Sequence, residues 1–384
     1  MPEVSRGFAG RKRSATFSAS PWWLIAATLP RGARLTPRAC PEQNSIGLCN
    51  VDAEVGAYAE AVEFALADPL RAHIHLSELT PRQIVNQKGH YWPFVAYCPL
   101  LKSSVDADKP IKVALMKILG KEDTVFVPAE LVLHPGIKGE LVIFGTSTNG
   151  LASGNTIEEA ILHALCEVLE RDLRTMSKAE SSAKVVDLST IPEDFKATQL
   201  INKIHDSGLN LVVRTVKNDY GVTYFEAYII DPCIENPISL SFGSSAHIDT
   251  DIALVRAISE AAQSRLTYIQ GGRDDIEDRY EYYLKNGKCA EIDDVESVVN
   301  NLTASNSDMV TCPINSNKIN SIHDALSYLS NKISEIDGVG PILWCDLSNS
   351  RIHLKVVRVV IPGMEFHKHD FERVGLRLCE ALGA

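Results

Sequence analysis

The sequence lacks paired cysteines, although it contains nine cysteines in total. They are scattered singly, with no Cys-x-x-Cys pair and no regular spacing. Disulfide frameworks and structural zinc sites both need closely or regularly spaced cysteines, so this pattern argues against both. Single cysteines are typical of proteins in a reducing compartment, and we therefore expect a cytoplasmic location.

The sequence also lacks an apolar run that could cross a membrane. The apolar stretch PWWLIAATL at 21–29 is much shorter than the roughly 20 residues that a membrane-spanning helix needs. It follows a basic start and so resembles a signal peptide, but a buried strand or hairpin, or a flexible arm with an amphipathic patch, is favoured. We expect no membrane partner.

Positive charge is scarce beyond the N-terminus. The net charge is −11, which argues against a nucleic-acid partner held by phosphate contacts. The first 40 residues carry seven Lys and Arg against one acid, a net +6, which leaves −17 for the other 344 residues. We therefore divide the chain into a basic N-terminal arm, residues 1–42, and a domain over residues 43–384.

The sequence has no repeat of solenoid type and no low-complexity tract; strand-like and helix-like stretches alternate instead. This interleaving predicts an α+β fold with mixed layers. The segment 280–320, rich in Asn, Ser and Asp, is predicted to be a surface excursion. Strands are predicted at 91–100, 112–118, 140–146, 210–216, 223–230 and 354–361. Helices are predicted at 53–67, 156–178, 196–207, 250–270, 322–335 and 369–381.

The most informative pattern lies in the predicted helix after residue 156. Glu159, His163, Glu167 and Glu170 are spaced by four, four and three residues, which places them within an arc of about 80° on one helix face. Carboxylates so close together repel one another, so a cation is expected between them. Magnesium is a natural candidate because it binds hard oxygen ligands, often together with nucleotide phosphates. A solvated face neutralised by Lys and Arg is the alternative.

The start of this helix is small and polar. Its Gly, Ser, Asn and Thr residues predict an N-cap at Ser153 or Asn155. Free amide groups at such an end attract anions, phosphate included. Similar stripes occur in two other predicted helices, at Asp52, Glu60 and Glu63 and at Arg256, Glu260 and Gln263. If the three stripes converge, they line one polar cavity, where the carboxylates must be metal-bound, paired or partly protonated.

Six separated motifs resemble the YcaO-domain family. The main one is TSTNGLASGNTIEEAILHALCEVLERD at 146–172. The others, in order, are AYAEAVE at 57–63, VPAELV at 127–132, ISEAAQSR at 258–265, GGRDD at 271–275 and VVRVVIPGME at 356–365. The resemblance implies a YcaO-type α+β fold, in which long helices and mixed sheets line a central nucleotide cavity.

The resemblance also implies a reaction. Such enzymes use ATP and Mg²⁺ to phosphorylate backbone amide oxygens of a ribosomally made precursor peptide, giving azoline rings by cyclodehydration, or thioamides or amidines. It implies a partner protein that captures the leader of the peptide, because this chain shows no winged-helix recognition module. A homodimer is left open.

Carried over by position, the resemblance and the polar helix start predict ligand-binding residues, whereas no catalytic residue is assigned. Arg273 is expected near the phosphates, where its planar cation could contact developing charge. For the metal, the predicted ligands are Glu63, Glu159, Glu167 and Glu170. For the nucleotide, they are Glu60, Glu63, Ser153, Asn155, Glu159, Glu167, Glu170, Arg171, Glu260, Gln263 and Arg273.

Several positions depart from the family pattern. Ile46 replaces the lysine of a Gly-Lys-Gly element, Gly56 a serine and Phe64 an arginine. A degenerate scaffold subunit that binds peptide or partner is therefore the alternative function. The C-terminal sequence HKHDFERVGLRLCEALGA also lacks the proline-rich tail of azoline-forming members, which shifts weight toward thioamide or amidine chemistry or a divergent cyclodehydratase.

Two further residues of the acid helix have expected roles. His163 is predicted to form a hydrogen bond with a neighbouring glutamate rather than to bind a ligand. Cys166 is predicted to be a small buried apolar residue rather than a nucleophile. A two-metal hydrolase is not supported, because the sequence shows no His or Asp ligands at bridging spacings.

Overall fold

The structure is a computed structural model that describes residues 50–232, 239–270, 299–300, 309–315, 317, 319–366 and 373–383. The predicted arm at 1–42, Ile46, Arg273 and most of the predicted excursion at 280–320 lie outside the described residues. Within the described ranges, no helix has both the length and the apolar character needed to cross a bilayer.

Helices and antiparallel sheets alternate along the chain, which confirms the predicted α+β class. The helices are α1 (Asn50–Ala67), α2 (Pro81–Val85), α3 (Ile157–Glu180), α4 (Lys196–Asp206), α5 (Thr250–Gln270), α6 (Ile322–Ser334) and α7 (Leu376–Leu382). The strands are β1 (Leu76–Leu79), β2 (Ile111–Ile118), β3 (Thr124–Pro128), β4 (Leu151–Gly154), β5 (Lys184–Val185), β6 (Asn210–Thr215), β7 (Thr223–Ile230), β8 (Leu240–His247), β9 (Leu343–Asp346) and β10 (Lys355–Val360).

The strands form two sheets. The first has the order β1-β2-β9-β10-β4, with β3 paired to β2, and the second has the order β5-β6-β7-β8. All the pairs are antiparallel, with registers such as Val357 opposite Ala152 and Glu226 opposite Ser244. Helix α3 contacts β4 and β10 of the first sheet and β8 of the second. It therefore joins the two sheets and places its polar face between them.

The amphipathic sequence of α3 explains this position. Its apolar residues, among them Leu165 and Val168, pack with Val357 and Val359 of β10 and with Leu329 of α6. Helix α5 packs on the second sheet through close contact of its backbone with a glycine of β8. A Cβ atom at Gly243 of β8 would lie only 2.3 Å from the backbone nitrogen of Ala261, so this close approach requires glycine.

Two predicted strands are wrong. Residues 91–100 form a 3₁₀ turn at Phe94–Tyr97 and a single β-bridge from Leu100 to Arg373, and residues 140–146 form no strand. In the latter segment, the backbone N–H groups of Ile143, Phe144 and Gly145 donate to the Glu130 carboxylate. A side chain thus satisfies donors that a neighbouring strand would otherwise take. Strands β1, β3, β4, β5, β8 and β9 were not predicted.

The predicted N-cap of the acid helix is wrong as well. Ser153 lies in β4, and Thr156 is the N-cap, with its Oγ1 accepting from the Glu159 N–H at 3.1 Å. The C-terminal helix starts later than the predicted residue 369, at Leu376, because Glu365 accepts from Gly375 N–H and Leu378 N–H and so caps it there.

Candidate functional site

Two serines form hydrogen bonds with glutamates from three helices. Ser153 of β4 donates from Oγ to Oε1 of Glu63 on α1, at 2.5 Å. On the other side, Ser244 of β8 donates from Oγ to Oε1 of Glu170 on α3, at 2.7 Å. The backbone N–H of the same serine donates to Oε2 of Glu260 on α5, at 2.9 Å. Strands from both sheets thus orient carboxylates from all three helices.

Glu167 lies between the hydrogen bonds of Ser153 and those of Ser244. Its Oε2 accepts from the backbone N–H of Gly150 at 3.2 Å, and its charge raises the pKa of Glu63. Arg171 lies 3.7 Å from both Glu167 and Glu170. We use the name acid cluster for the carboxylates that these contacts and charge interactions bring together: Glu60, Glu63, Glu167, Glu170 and Glu260.

Burial raises the pKa values of the acid cluster. It raises the pKa of Glu63 to about 8, with repulsion from Glu167 and Glu60 adding to the effect. It also raises the pKa of Glu170 to about 8, against the lowering effect of Arg171, and it raises the pKa of Glu167. Although burial opposes it, the surrounding carboxylates raise the pKa of the Arg171 guanidinium. Such carboxylates bind a further cation favourably, because the cation lowers their mutual repulsion.

Gln263 adds a buried donor beside this cluster. It lies one turn after Glu260 on α5 and is 7% exposed, and its side-chain nitrogen has no hydrogen-bond partner among the described residues. A buried amide without a partner costs free energy unless a ligand or water satisfies it. The predicted stripe of Glu260 and Gln263 therefore fits a ligand-binding role.

Asn155 and Glu159 form a separate pair at the start of α3. The Asn155 N–H donates to Glu159 Oε2 at 2.9 Å, and its side chain donates to Oε1 at 3.4 Å. Glu159 lies eight residues before Glu167, roughly 12 Å along the helix axis. One magnesium ion cannot bind both carboxylates, so Glu159 fits a second ion or the far end of a longer ligand.

The acid cluster fits magnesium only together with outside oxygens. Within the described residues, no three His, Cys, Asp or Glu side chains converge to form a complete metal site. Magnesium in proteins usually keeps waters and binds one or two carboxylates with substrate phosphates. The carboxylates that are present, with raised pKa values and a buried amide nearby, fit the protein ligands of such a magnesium coordination shell.

Arg358 is a residue that the sequence analysis missed. It is 1% exposed in β10 and donates to the carbonyls of Val132, Asn149 and Ser147, at 3.0, 2.7 and 2.7 Å. Burial lowers its pKa to about 10, while the nearby Glu167 acts in the opposite direction. These bonds fix the turn that presents Gly150 to Glu167. An arginine inside the apolar run VVRVV was the available signal.

The expected hydrogen bond from His163 to a glutamate is wrong. The ring contacts the backbone of Ser153 and lies near Arg256 and His247. Its side chain reaches solvent, yet desolvation by the surrounding protein, with the charge of Arg256 adding to it, lowers its pKa to about 4. Cys166 is buried with its pKa raised to about 12, which confirms the apolar role.

A separate cavity of about 490 Å³ lies between β2 and the 136–146 segment. None of the predicted site residues lines it. Its carboxylate Glu130 is already engaged by three backbone N–H groups. We therefore place the candidate site at the acid cluster.

Solved structures share this fold. A heterocyclase in complex with substrate and cofactor has a TM-score of 0.71 at 21% identity, covering 88% of this chain but 47% of its own length. YcaO from Methanopyrus kandleri, bound with AMPPCP and Mg²⁺, has a TM-score of 0.64 at 21% identity, covering 86% and 80%. The E. coli microcin synthetase McbBCD complex has a TM-score of 0.58 at 14% identity, covering 86% and 87%.

Sequence comparisons point to the same family. An uncharacterized protein of Methanothermobacter thermautotrophicus is 32% identical over 283 residues, which are 73% of this chain and 72% of the relative. The family model described as YcaO cyclodehydratase, ATP- and Mg²⁺-binding, matches residues 44–365. The chain therefore belongs to the YcaO family of ATP- and Mg²⁺-binding cyclodehydratases.

Proposed function

We propose that this chain uses ATP and Mg²⁺ to phosphorylate backbone amide oxygens in a ribosomally made precursor peptide in the cytoplasm. The single observation that supports this most is the acid cluster, in which three helices contribute carboxylates that two serines orient. Amide oxygen is a poor leaving group until it is phosphorylated, and phosphoryl transfer depends on positioning and on cations at the phosphates.

The residues divide into roles within this proposal. Glu63, Glu167 and Glu170 would hold magnesium, with Glu159 at the far end of the same helix face. When bound, the metal supplies positive charge at the phosphate oxygens. Arg171 bridges Glu167 and Glu170 and keeps both side chains on one side of α3. Other nucleotide contacts come from Glu60, Ser153, Asn155, Glu260, Gln263 and Arg273.

We propose azoline formation by cyclodehydration, or thioamide or amidine formation, as the outcome. The class of nucleophile decides among them: a Cys, Ser or Thr side chain of the peptide, a sulfur donor or an amine. Mass spectrometry of the peptide after incubation separates these outcomes. Loss of one water indicates an azoline, and exchange of oxygen for sulfur indicates a thioamide. Addition of an amine with loss of one water indicates an amidine.

We further propose that residues 43–384 act as one domain and that a partner protein captures the leader. This arrangement predicts that the purified chain alone modifies its peptide slowly and that adding the partner increases the rate. An equal rate with and without the partner would contradict the need for it.

Calorimetry with ATP and Mg²⁺ tests the acid cluster directly. Glu170→Gln keeps the shape of the side chain but removes a charge that the metal needs, so nucleotide affinity should fall by about tenfold or more. Glu180→Gln, at the exposed C-terminal end of the same helix, is the matched control and should bind as the wild type does. Absence of any binding heat from the wild-type chain would favour the scaffold alternative.

A further inference from the structure

The cavity beside β2 has apolar walls that are partly exposed. We call it the β2 groove; it lies between residues 109–112 and residues 136–144, and its volume is about 490 Å³. Ligand pockets fall in the range of about 300–1,000 Å³. Leu141 and Val142 in its wall are 46% and 59% exposed, and Val105, in the loop before β2, is exposed as well. Exposed apolar side chains grouped around a concave surface indicate a binding site.

The backbone of β2 has an unpaired edge in this groove. Strand β3 ends opposite Val113, because the chain turns into a 3₁₀ helix at Ala129. The Ile118 N–H donates to the Asp123 carbonyl, on the side of β3, and backbone groups alternate in direction along a strand. The N–H and carbonyl of Lys112 therefore point to the side of β3 too. Within the described chain, no strand pairs with β2 on that side at this position.

Hydrogen bonds fix the wall that faces β2. Glu130 accepts the N–H groups of residues 143–145, and Thr146 Oγ1 forms a hydrogen bond with the His134 ring at 3.0 Å. A Cβ atom at Gly136 would lie 2.6 Å from Cγ2 of Thr146, so the backbone passes close to this side chain. A wall that is already fixed loses little conformational freedom when a ligand binds, which favours affinity.

The charges that line the groove balance one another. They are Lys109, Lys112 and Lys138 together with Asp106, Glu130 and Glu140. Lys112 also bonds to Glu78 at 2.5 Å. The groove is thus neutral, whereas the chain as a whole carries a net charge of −11. An apolar groove without excess charge suits an uncharged ligand, because a charged group would lose hydration there without gaining a partner.

The groove is close to the acid cluster along the chain. Thr146 lines the groove, and Gly150, four residues later, donates its N–H to Glu167. Four residues span at most roughly 14 Å even when they are fully extended. A peptide bound in the groove therefore has residues only a few positions away that can reach the acid cluster.

We propose that the β2 groove binds an extended, uncharged and apolar stretch of the precursor peptide, whose backbone pairs with that of Lys112. The identity of this occupant rests on the proposed function. When a peptide adds a strand to a sheet edge, main-chain hydrogen bonds give affinity and pockets for alternate side chains give specificity. The groove holds the peptide while a neighbouring amide lies at the acid cluster.

A labelled synthetic peptide of alternating valine and threonine is the probe. Its binding to the full chain, without nucleotide, is measured by fluorescence anisotropy. Leu141→Ser should weaken binding by about fivefold or more, because it removes an apolar contact in the groove. Leu115→Ser is the matched control: Leu115 is 45% exposed on β2 but does not line the groove, so binding should not change. Thermal melts check that both variants are folded. Equal affinities of the two variants, or no binding to the wild type, would overturn the proposal.

N-methylated versions of the probe test the backbone pairing. Along a strand, alternate N–H groups point to opposite edges. Methyl groups on one alternate set of amides should weaken binding by about tenfold or more, because they remove the hydrogen bonds to β2. The same number of methyl groups on the other set should leave binding unchanged. Equal effects of the two sets would contradict strand pairing.

Kinetics with the precursor peptide identify the occupant. Leu141→Ser should raise KM for the peptide by about fivefold and leave kcat close to the wild-type value, because the groove binds peptide but does not contact the reacting atoms. If this variant keeps the wild-type KM and loses only the rate increase given by the partner protein, the partner occupies the groove and the proposal is wrong.

Calorimetry with Mg·ATP separates this proposal from the proposed function. If Mg·ATP binds but probe binding does not depend on Leu141, the groove is wrong and the proposed function stands. If probe binding depends on Leu141 but Mg·ATP does not bind, the groove stands as a peptide-binding site and the proposed function is wrong.

Discussion

Glu63 and Glu170 are the residues whose protonation depends most clearly on the fold. Both have pKa values near 8 because burial disfavours their charged forms. In the unfolded chain, a glutamate titrates near 4.5. Between these values the folded protein binds more protons than the unfolded chain, so these two groups stabilise it at low pH and lose that effect as pH rises toward about 8.

This difference predicts how stability depends on pH without metal. In EDTA, wild-type Tm should fall between about pH 6 and about pH 8, and Glu63→Gln should show a smaller fall because one titrating group is gone. Thermal unfolding followed by circular dichroism measures both slopes. Glu180→Gln, at an exposed position, should keep the wild-type slope. Parallel slopes for Glu63→Gln and wild type would contradict the raised pKa of Glu63.

At the scale of elements, the turn before β4 determines where Glu167 points. Gly150 has a φ of +75°, and its N–H donates to the Glu167 carboxylate. A Cβ atom there would lie 2.2 Å from the carbonyl oxygen of Val359. Arg358 binds the carbonyls on the N-terminal side of this turn. The turn therefore has both a conformational and a steric need for glycine.

Two glycine variants separate these needs. Gly120 has a φ of +74°, but a Cβ atom there would meet nothing within 4 Å. Gly120→Ala should therefore cost only the backbone strain, about 1–2 kcal/mol. Gly150→Ala should cost clearly more and should weaken Mg·ATP binding, because the turn must move away from Glu167. Urea unfolding and calorimetry measure the two effects. Equal losses of stability would show that the clash with Val359 is relieved without cost.

At the scale of the whole molecule, the C-terminal helix α7 is joined to the centre of α3. Asp172, adjacent to Arg171, is fully buried and accepts from Arg377 at 2.7 Å and from the Glu365 N–H at 2.6 Å. Tyr220 also donates to it. This buried network connects residues about 200 positions apart in sequence to the helix that carries the acid cluster.

Arg377→Gln tests this connection. It leaves the buried carboxylate of Asp172 without its cation, so the free energy of unfolding should fall by about 3 kcal/mol or more. Lys332→Gln breaks the exposed pair with Glu335 and should cost about 1 kcal/mol or less. Urea denaturation of the two variants provides the comparison. A loss for Arg377→Gln no greater than that for Lys332→Gln would contradict a structural role for the buried pair.

Periodicity in the sequence determined the helices of the site. The 3.6-residue repeat is a local property, so α3 and α5 were predicted nearly to the residue, and the family resemblance drew on the same stretches. The strands were harder to predict, because their hydrogen-bond partners are distant in sequence. Residues 140–146 resemble a strand, but the distant Glu130 carboxylate takes their N–H groups, and no local pattern reveals such a partner.

The sequence by itself determined which side chains share each helix face and that their charges need a cation. Only the tertiary structure decided which of them meet. Ser244 joins Glu170 to Glu260, and Ser153 joins Glu63 to β4. Glu159, in contrast, pairs with Asn155 at the N-terminal end of α3. The physical reason is that a helical repeat fixes directions around one axis, while distances between axes depend on how both sheets pack against α3.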